Sequence, residues 1–348
     1  MAMPLRPRRP AYGRLGSVAS NQSVRIRRAV ARYAAGHEAL RAATDSYVGL
    51  VTQLLDDAGI NYLAVTGRTK TVESFAGKAA RRTGSGRLAF PKPLTDITDQ
   101  IGVRVVTYVQ DDVDAVAQLL DAQLEVRDDR DMGQETAAEG RFGYASRHLL
   151  VALDDERARA AGIPAGRPAS VQIRTVLQHA WAEFEHDIRY KGSVPQEHAH
   201  DFDRRFTLAA GLLELADQQF SAIRDRHRQA LTSPADAPDD DPRIGATDLA
   251  AFLAGQFADA GWSRTDHYAW ISGLLLELGV TSLAELREVL RVVDDTAIET
   301  RMGYRYPPGA VRRLDDSLLS VYGERYVGLH GNAHRQELLT ARLARLHT

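Results

Sequence analysis

Between residues 22 and 59 apolar side chains recur at spacings of three and four: Val24, Ile26, Val30, Tyr33 and Ala34, then Tyr47, Leu50, Val51, Leu54 and Leu55. That period predicts helix with one buried stripe, and Gly59 is placed to end it. A short strand follows over 61–66, then Gly67 and a polar turn into a helix over 72–82. Residues 83–93, with two glycines and a Pro-Lys-Pro, predict a loop. The β-branched run 101–109 predicts a buried strand and 113–122 the helix after it. Next come a short strand over 124–127, a polar loop over 128–141, and strands over 144–153 and 170–174. Helices are expected over 175–186 and 198–230. Strands interleaved with helices in this order predict an α+β fold, a mixed β-sheet with helices packed on it.

The periodicity then stops. Residues 231–246, LTSPADAPDDDPRIGA, hold too little apolar surface to pack and are expected to be an acidic, Pro-rich linker. Residues 247–348 are helical again, with a Ser282-x-x-Glu285 capping box and an interruption at 301–308. Residues 1–20 carry Pro, Gly and Arg without periodicity and are expected to be a disordered basic tail. The predicted organisation is thus a tail, a first domain over 21–230 with its flanking helices, a linker over 231–246, and a C-terminal helical domain over 247–348 whose role no motif assigns.

Composition narrows the chemistry. The chain has 348 residues and no cysteine, which excludes disulfides, thiolate zinc sites, iron–sulfur clusters and cysteine nucleophiles. That suits a reducing cytoplasm, and no stretch approaches the roughly 20 apolar residues that span a bilayer, so a cytoplasmic protein without a membrane partner is expected. The net charge of −2 is an average over unlike segments. Arginines dominate the first 46 residues, eight cations face three acids over 67–104, and all four lysines (Lys70, Lys78, Lys92, Lys191) fall between residues 70 and 191.

The densest candidate cluster is Gly67-Arg68-Thr69-Lys70-Thr71-Val72-Glu73-Ser74-Phe75-Ala76-Gly77-Lys78, extended by Arg81 and Arg82. On a helix beginning near Thr71, Ser74, Lys78 and Arg81 share a face, with Arg68 and Lys70 at the preceding turn; donors converging on a helix start suit a polyphosphate. A solvated basic helix is the plainer alternative. Asp99 stands where a loop enters a buried strand, a position suited to Mg²⁺ shared with phosphates and also to ordinary turn chemistry. Tyr144, Ser146 and His148 lie on one side of a strand, where they can stack on a base or simply cover the core. Gln172 and Arg174 share a strand face. His179, Glu183 and His186 follow at helical spacing, but the His-Glu-x-x-His pattern of zinc helices is absent, and a helix packed through Trp181, Phe184 and Ile188 is the better reading.

Taken in order, G-R-T-K-x3-S-x3-K, D-x-x-G-x-R, G-Y-x-S-x-H, Q-I-R-T and W-A-x-x-E-H-x4-Y-K resemble the synthetase domain of RelA/SpoT-type alarmone synthetases, in a short form without an HD hydrolase domain. The resemblance spans residues 45–195. It implies a nucleotidyltransferase-like sheet and transfer of the β,γ-pyrophosphate of ATP to the 3′-hydroxyl of GDP or GTP, giving (p)ppGpp. Carried over by position, Arg68, Lys70, Ser74 and Lys78, extended by Arg81 and Arg82, fall on the ATP side; Asp99 matches the Mg²⁺-binding aspartate, and Arg104 closes its motif. Tyr144 matches the aromatic against the acceptor guanine, with Ser146 and His148 beside it. Gln172, Arg174, Glu185, His186 and Lys191 fall on the remaining matched positions. The catalytic set implied is Asp99, Arg68, Lys70 and Lys78, with Mg²⁺ as cofactor. Some toxic relatives modify the 3′ end of tRNA instead, which makes tRNA the alternative acceptor. A homo-oligomer is expected, although no residue pattern fixes it.

One position departs. The family usually reads Glu-x-Gln-I-R-T, whereas this chain reads Ser170-Val171-Gln172-Ile173-Arg174-Thr175. Serine is neither a useful base nor a strong Mg²⁺ ligand at neutral pH. Glu183, Glu185, Asp154 and Asp155 are the carboxylates that could substitute; without a substitute the chain is expected to be a weak or silent nucleotide-binding regulator.

Overall fold

A computed structural model describes residues 13–132, 146–164, 166–191, 199–231 and 243–347. Two helices, α1 (Gly13–Ala35) and α2 (His37–Ala58), open the chain. Helix α1 begins inside the segment expected to be a tail: past Gly16 nothing in the sequence breaks a helix, and propagation from an established turn is favourable. The single run expected over 22–59 is two helices meeting at Gly36. Helix α2 ends at Gly59 as expected, with φ 66° in the left-handed region.

The sheet comprises β1 (Tyr62–Thr69), β2 (Ile101–Thr107), β3 (Glu125–Asp131), β4 (Arg147–Ala152) and β5 (Ala169–Thr175), in spatial order β1-β2-β5-β4-β3. Only β2 and β5 are parallel; the other neighbours are antiparallel. The mixed sheet with packed helices is therefore present. Strand β1 runs through Thr69, two residues past the expected Gly67 turn. Gly67 is needed for close approach instead: a Cβ there would lie 2.7 Å from methyl groups of both Thr44 and Val48 on α2. Strand β3 likewise extends through Asp131, where a polar loop was expected, because backbone pairing with β4 does not require apolar side chains on an edge strand.

Helices α3 (Val72–Ala79), α4 (Pro93–Asp96), α5 (Gln110–Gln123), α6 (Asp155–Ala160), α7 (Val176–Lys191) and α8 (Ala199–Leu231) complete this domain. Helix α3 stops three residues short of expectation. Arg82 bridges Leu88 across a tight turn, and Ala89 N–H donates to the Arg81 carbonyl, so hairpin hydrogen bonds replace helical ones. Helices α2 and α5 cover one sheet face, whose odd-numbered β2 and β5 residues (Val103, Val105, Val171, Ile173) are fully buried. The other face, with Gly102, Arg104, Ser170, Gln172 and Arg174, is only partly covered by α7. Phe184, expected in the α7 packing surface, is 60% exposed. Helix α8 is pinned through Thr175, whose hydroxyl donates to buried Asp217 at 2.7 Å, and through Arg224, paired with Asp112 and Asp111 of α5 at 2.6 and 2.8 Å.

The C-terminal region forms its own core of leucines from α9 (Ala246–Gln256), α10 (Thr265–Leu278), α11 (Leu283–Arg291), α12 (Asp295–Met302), α13 (Ala310–Tyr322), α14 (Glu324–Val327), a 3₁₀ turn (His330–Arg335) and α15 (Gln336–Leu346). The Ser282/Glu285 capping box has both of its hydrogen bonds. The interruption expected at 301–308 is the α12–α13 connection. Most of the expected linker lies outside the described residues.

The helical region docks on the end of α2. Gly309 N–H donates to the Asp57 carbonyl, Ala310 N–H to that of Gly261, and Arg312 pairs with Asp57 at 2.8 Å. A Cβ on Gly309 would lie 2.5 Å from the Gly59 Cα, so the two backbones meet with no room for a side chain. Gly309→Ala is therefore expected to cost about 1–3 kcal/mol, read as a lower urea midpoint and as faster proteolysis between the domains; an unchanged midpoint contradicts this packing.

Candidate active site

The site is assembled from the end of β1 and the loop entering β2. Lys70 follows β1, Lys78 lies in the last turn of α3, and both ammonium groups reach Asp99 Oδ2, at 3.0 and 2.9 Å. Thr71 caps α3 by accepting the Ser74 N–H, which sets the helix start beside Lys70. Lys78 also lies over the Phe90 ring, 5.4 Å from its centroid.

The backbone around this cluster is held by residues that motif reading did not single out. Tyr33 donates its hydroxyl to the Lys70 carbonyl at 2.6 Å and His37 Nε2 lies 3.1 Å from the same oxygen, while Lys70 N–H donates to the Gln100 carbonyl. Burial, reinforced by the Asp99 charge, raises Tyr33 to about 12, so its phenol remains a donor. Gln100, 3% exposed, donates to the carbonyls of Leu94 and Ile97 and accepts from Arg167 at 3.0 Å, shaping the loop that carries Asp99. Tyr33 and His37 are one helical turn apart, which is the only sequence signal that could have found them. Gln100 has none.

Burial alone would raise the Asp99 pKa, but hydrogen bonds from Lys78 and Lys70, and then their charges, hold it below the ordinary 3.8. Its other oxygen, Oδ1, is buried without a hydrogen-bond partner. A carboxylate oxygen in that state is costly to leave unmatched and is a ready ligand for a cation. Asp99 is the residue here that could hold a metal; among the described residues no group of three His, Asp or Glu forms a self-sufficient metal site.

Strand register builds the rest. Arg68 pairs with Gly102 and Gly102 with Ser170; Thr66 pairs with Arg104, Arg104 with Gln172, and Gln172 with His148. Arg68, Arg104, Gln172 and Arg174 thus line one cleft of about 600 Å³, closed on the α7 side by Glu183, Glu185 and His186. Arg104 pairs with Glu183 at 2.9 Å. Burial and the neighbouring Arg104 charge lower Arg174, opposed by Glu183, and the same two causes lower His179. His179 is therefore neutral at pH 7, and its 3.8 Å approach to Glu183 is not an ion pair.

Not every expected residue joins this site. Ser74, Arg81 and Arg82 are exposed, and Arg82 Nη1 bonds the Gly86 carbonyl at 2.9 Å. Arg81 lies beyond the end of α3 and so does not extend a helical Ser74/Lys78 face. Ser146 and His148 bond each other at 2.7 Å. Ser170 is on the cleft face, two residues before Gln172. Asp154 caps α6, and Asp155 is in its first turn, so of the four substitute carboxylates only Glu183 and Glu185 line the cleft. Lys191 ends α7. Tyr144 lies outside the described residues.

Residues 67–194 match the region found in RelA / SpoT proteins. The GTP pyrophosphokinase YjbM of Bacillus subtilis strain 168 is 30% identical over 173 residues, which cover 48% of this chain and 74% of that protein. The chain belongs to the RelA/SpoT family. Among solved structures, small alarmone synthetase 1 of Bacillus subtilis is 25% identical with a TM-score of 0.44, covering 57% of this chain and 98% of that one. The same enzyme bound to its product pppGpp gives 26% and 0.42, over 53% and 94%. The RelA/SpoT match ends before α8, and the helical domain lies beyond it. Among the described residues no single helix is long and apolar enough to cross a membrane.

The clamp on Asp99 has a pH signature. Because its folded pKa is depressed, its ion pairs contribute stability above 3.8 that is lost as pH falls through the folded value. A ¹³C titration of the Asp99 carboxyl should show a midpoint below 3.8, moved upward by Lys78→Ala. A midpoint at the ordinary value in the wild type contradicts the clamp.

Proposed function

We propose that the protein is a pyrophosphokinase that transfers the β,γ-pyrophosphate of ATP to the 3′-hydroxyl of GDP or GTP. The observation that carries this reading is the Lys70–Asp99–Lys78 cluster opening beside an arginine-lined cleft. The relationship to a GTP pyrophosphokinase supports it.

In this reaction the 3′-oxygen attacks the β-phosphorus, the bond from that phosphorus to the bridging α–β oxygen breaks, AMP leaves, and the hydroxyl proton is released. There is little covalent work for the protein to do, so positioning and charge neutralisation dominate. Lys70 and Lys78 bind the triphosphate, and Arg68 takes the adenine end of the ATP. Asp99 would hold Mg²⁺ through its unmatched oxygen, and the ion would neutralise phosphate charge. Arg104 and Arg174 face the acceptor side with Gln172, while Glu183, tied to Arg104, brings a carboxylate to the wall of the cleft.

Ser170 favours a second reading, low or absent turnover, because the motif's glutamate position offers only a hydroxyl on the cleft face. A positioned base contributes about 10²–10⁴ in rate, so Ser170→Glu is expected to raise kcat by on the order of 10². The assay offers labelled ATP and Mg²⁺ with GDP, GTP and tRNA together. AMP and a 3′-pyrophosphorylated nucleotide are expected; label on tRNA alone moves the acceptor, and no product from either the wild type or Ser170→Glu sinks the pyrophosphokinase reading.

A further inference from the structure

A second cavity, of about 300 Å³, lies where the helical domain meets the outer ends of α2, α5 and α6. It shares no lining residue with the cleft on the sheet. Its walls carry five guanidiniums, Arg157 from the synthetase domain and Arg305, Arg312, Arg342 and Arg345 from the helical domain, against one carboxylate, Asp57.

The nearby acids do not balance this charge. Asp57 is held by Arg312 at 2.8 Å. Behind the wall, Asp315 is taken by Arg335 at 2.6 and 2.9 Å, with Arg342 at 3.0 Å, and Asp316 is in contact with Arg342. Arg312 also approaches Asp315 and Asp316, at 4.0 and 3.7 Å, so Asp57, Asp315 and Asp316 are shared among Arg312, Arg335 and Arg342. Arg157 donates mainly to a neutral acceptor, Gln123, with Asp154 no closer than 3.9 Å. Arg305 is exposed and has no hydrogen-bond or ion-pair partner among the described residues. Burial, and then the adjacent Arg312 charge, lower Arg342 despite Asp315, whereas Asp57 and Asp315 raise Arg312 against its burial.

We propose that this interdomain cavity binds a phosphate-bearing anion. Several guanidinium forks converging from two sides match the many oxygens of a phosphoryl group better than the two of a carboxylate. The volume is at the small end of ligand sites, sufficient for pyrophosphate or the phosphate end of a nucleotide. Because Arg157 and Asp57 belong to one domain and the other four arginines to the second, a bound anion cross-links the domains beside the Gly59–Gly309 contact.

The test uses the full chain carrying Lys70→Ala and Lys78→Ala, which weakens phosphate binding at the other site. Calorimetric titrations are run with inorganic phosphate, pyrophosphate and GTP, then repeated after adding Arg305→Glu and Arg345→Glu, both at exposed positions. Thermal unfolding verifies that each protein is folded. At least one anion is expected to bind and to lose tenfold or more in affinity on the arginine reversals; the tightest of the three distinguishes a bare phosphoryl group from a nucleotide. No binding to the lysine variant, or binding that is indifferent to Arg305 and Arg345, overturns the proposal.

Discussion

Two ammonium groups share one carboxylate oxygen, and the arrangement of the candidate site follows from that contact. Lys70 and Lys78 come from different elements, and Asp99 from a third, so their convergence requires β1, α3 and the loop before β2 to be mutually fixed. The Lys70 carbonyl is held by Tyr33 and His37, its N–H by the Gln100 carbonyl, and the loop by the Gln100 side chain with Arg167. These hydrogen bonds are part-buried, and they keep their geometry better than solvent-exposed ion pairs. The ammoniums offset the cost of half-burying Asp99 and leave its second oxygen unmatched. A site in that condition is poised for a cation and a polyanion together.

The sheet supplies the other half of the site through register. Gly102 between Arg68 and Ser170, and Arg104 between Thr66 and Gln172, put the cations on one face because paired residues point the same way across a ladder. The opposite face is apolar and closed by α2 and α5, so this face is left for chemistry. Ser170 occupies a place on it where the family motif carries an acid, next to Gly102, which contributes no side chain. The nearest described carboxylates lining the cleft belong to α7, and Glu183 is already engaged by Arg104.

Much of this was legible in the residues because it rests on local pattern. The β-branched run of β2, the alternation in β5 and the left-handed Gly59 are short-range signals that tertiary packing left in place. Lys70, Lys78 and Asp99 were recognisable through motif order, although nothing local says that they touch. What escaped reading has physical reasons. Strand β3 is held by backbone pairing that its acidic side chains conceal, and α3 is cut short by a hairpin whose hydrogen bonds lie on the chain's own far side. Gly67 looks like a turn residue but serves a helix passing over a strand. Tyr33 resembles core and Gln100 resembles loop; each is identified only by a partner distant in sequence. Docking of the helical domain depends on three glycines (Gly59, Gly261 and Gly309) more than 200 residues apart across the interface, a relation no periodicity contains.

The chemistry of the site turns on whether the unmatched oxygen of Asp99 receives a metal shared with a triphosphate bound by Lys70 and Lys78. The most direct measurement is anomalous scattering from crystals grown with Mn²⁺, as a substitute for Mg²⁺, and a non-hydrolysable ATP analogue. A manganese peak at coordination distance from Asp99 Oδ1, with phosphate oxygens against both lysine ammoniums, is the predicted result. Manganese bound away from Asp99, or a nucleotide whose phosphates avoid Lys70 and Lys78, would contradict it.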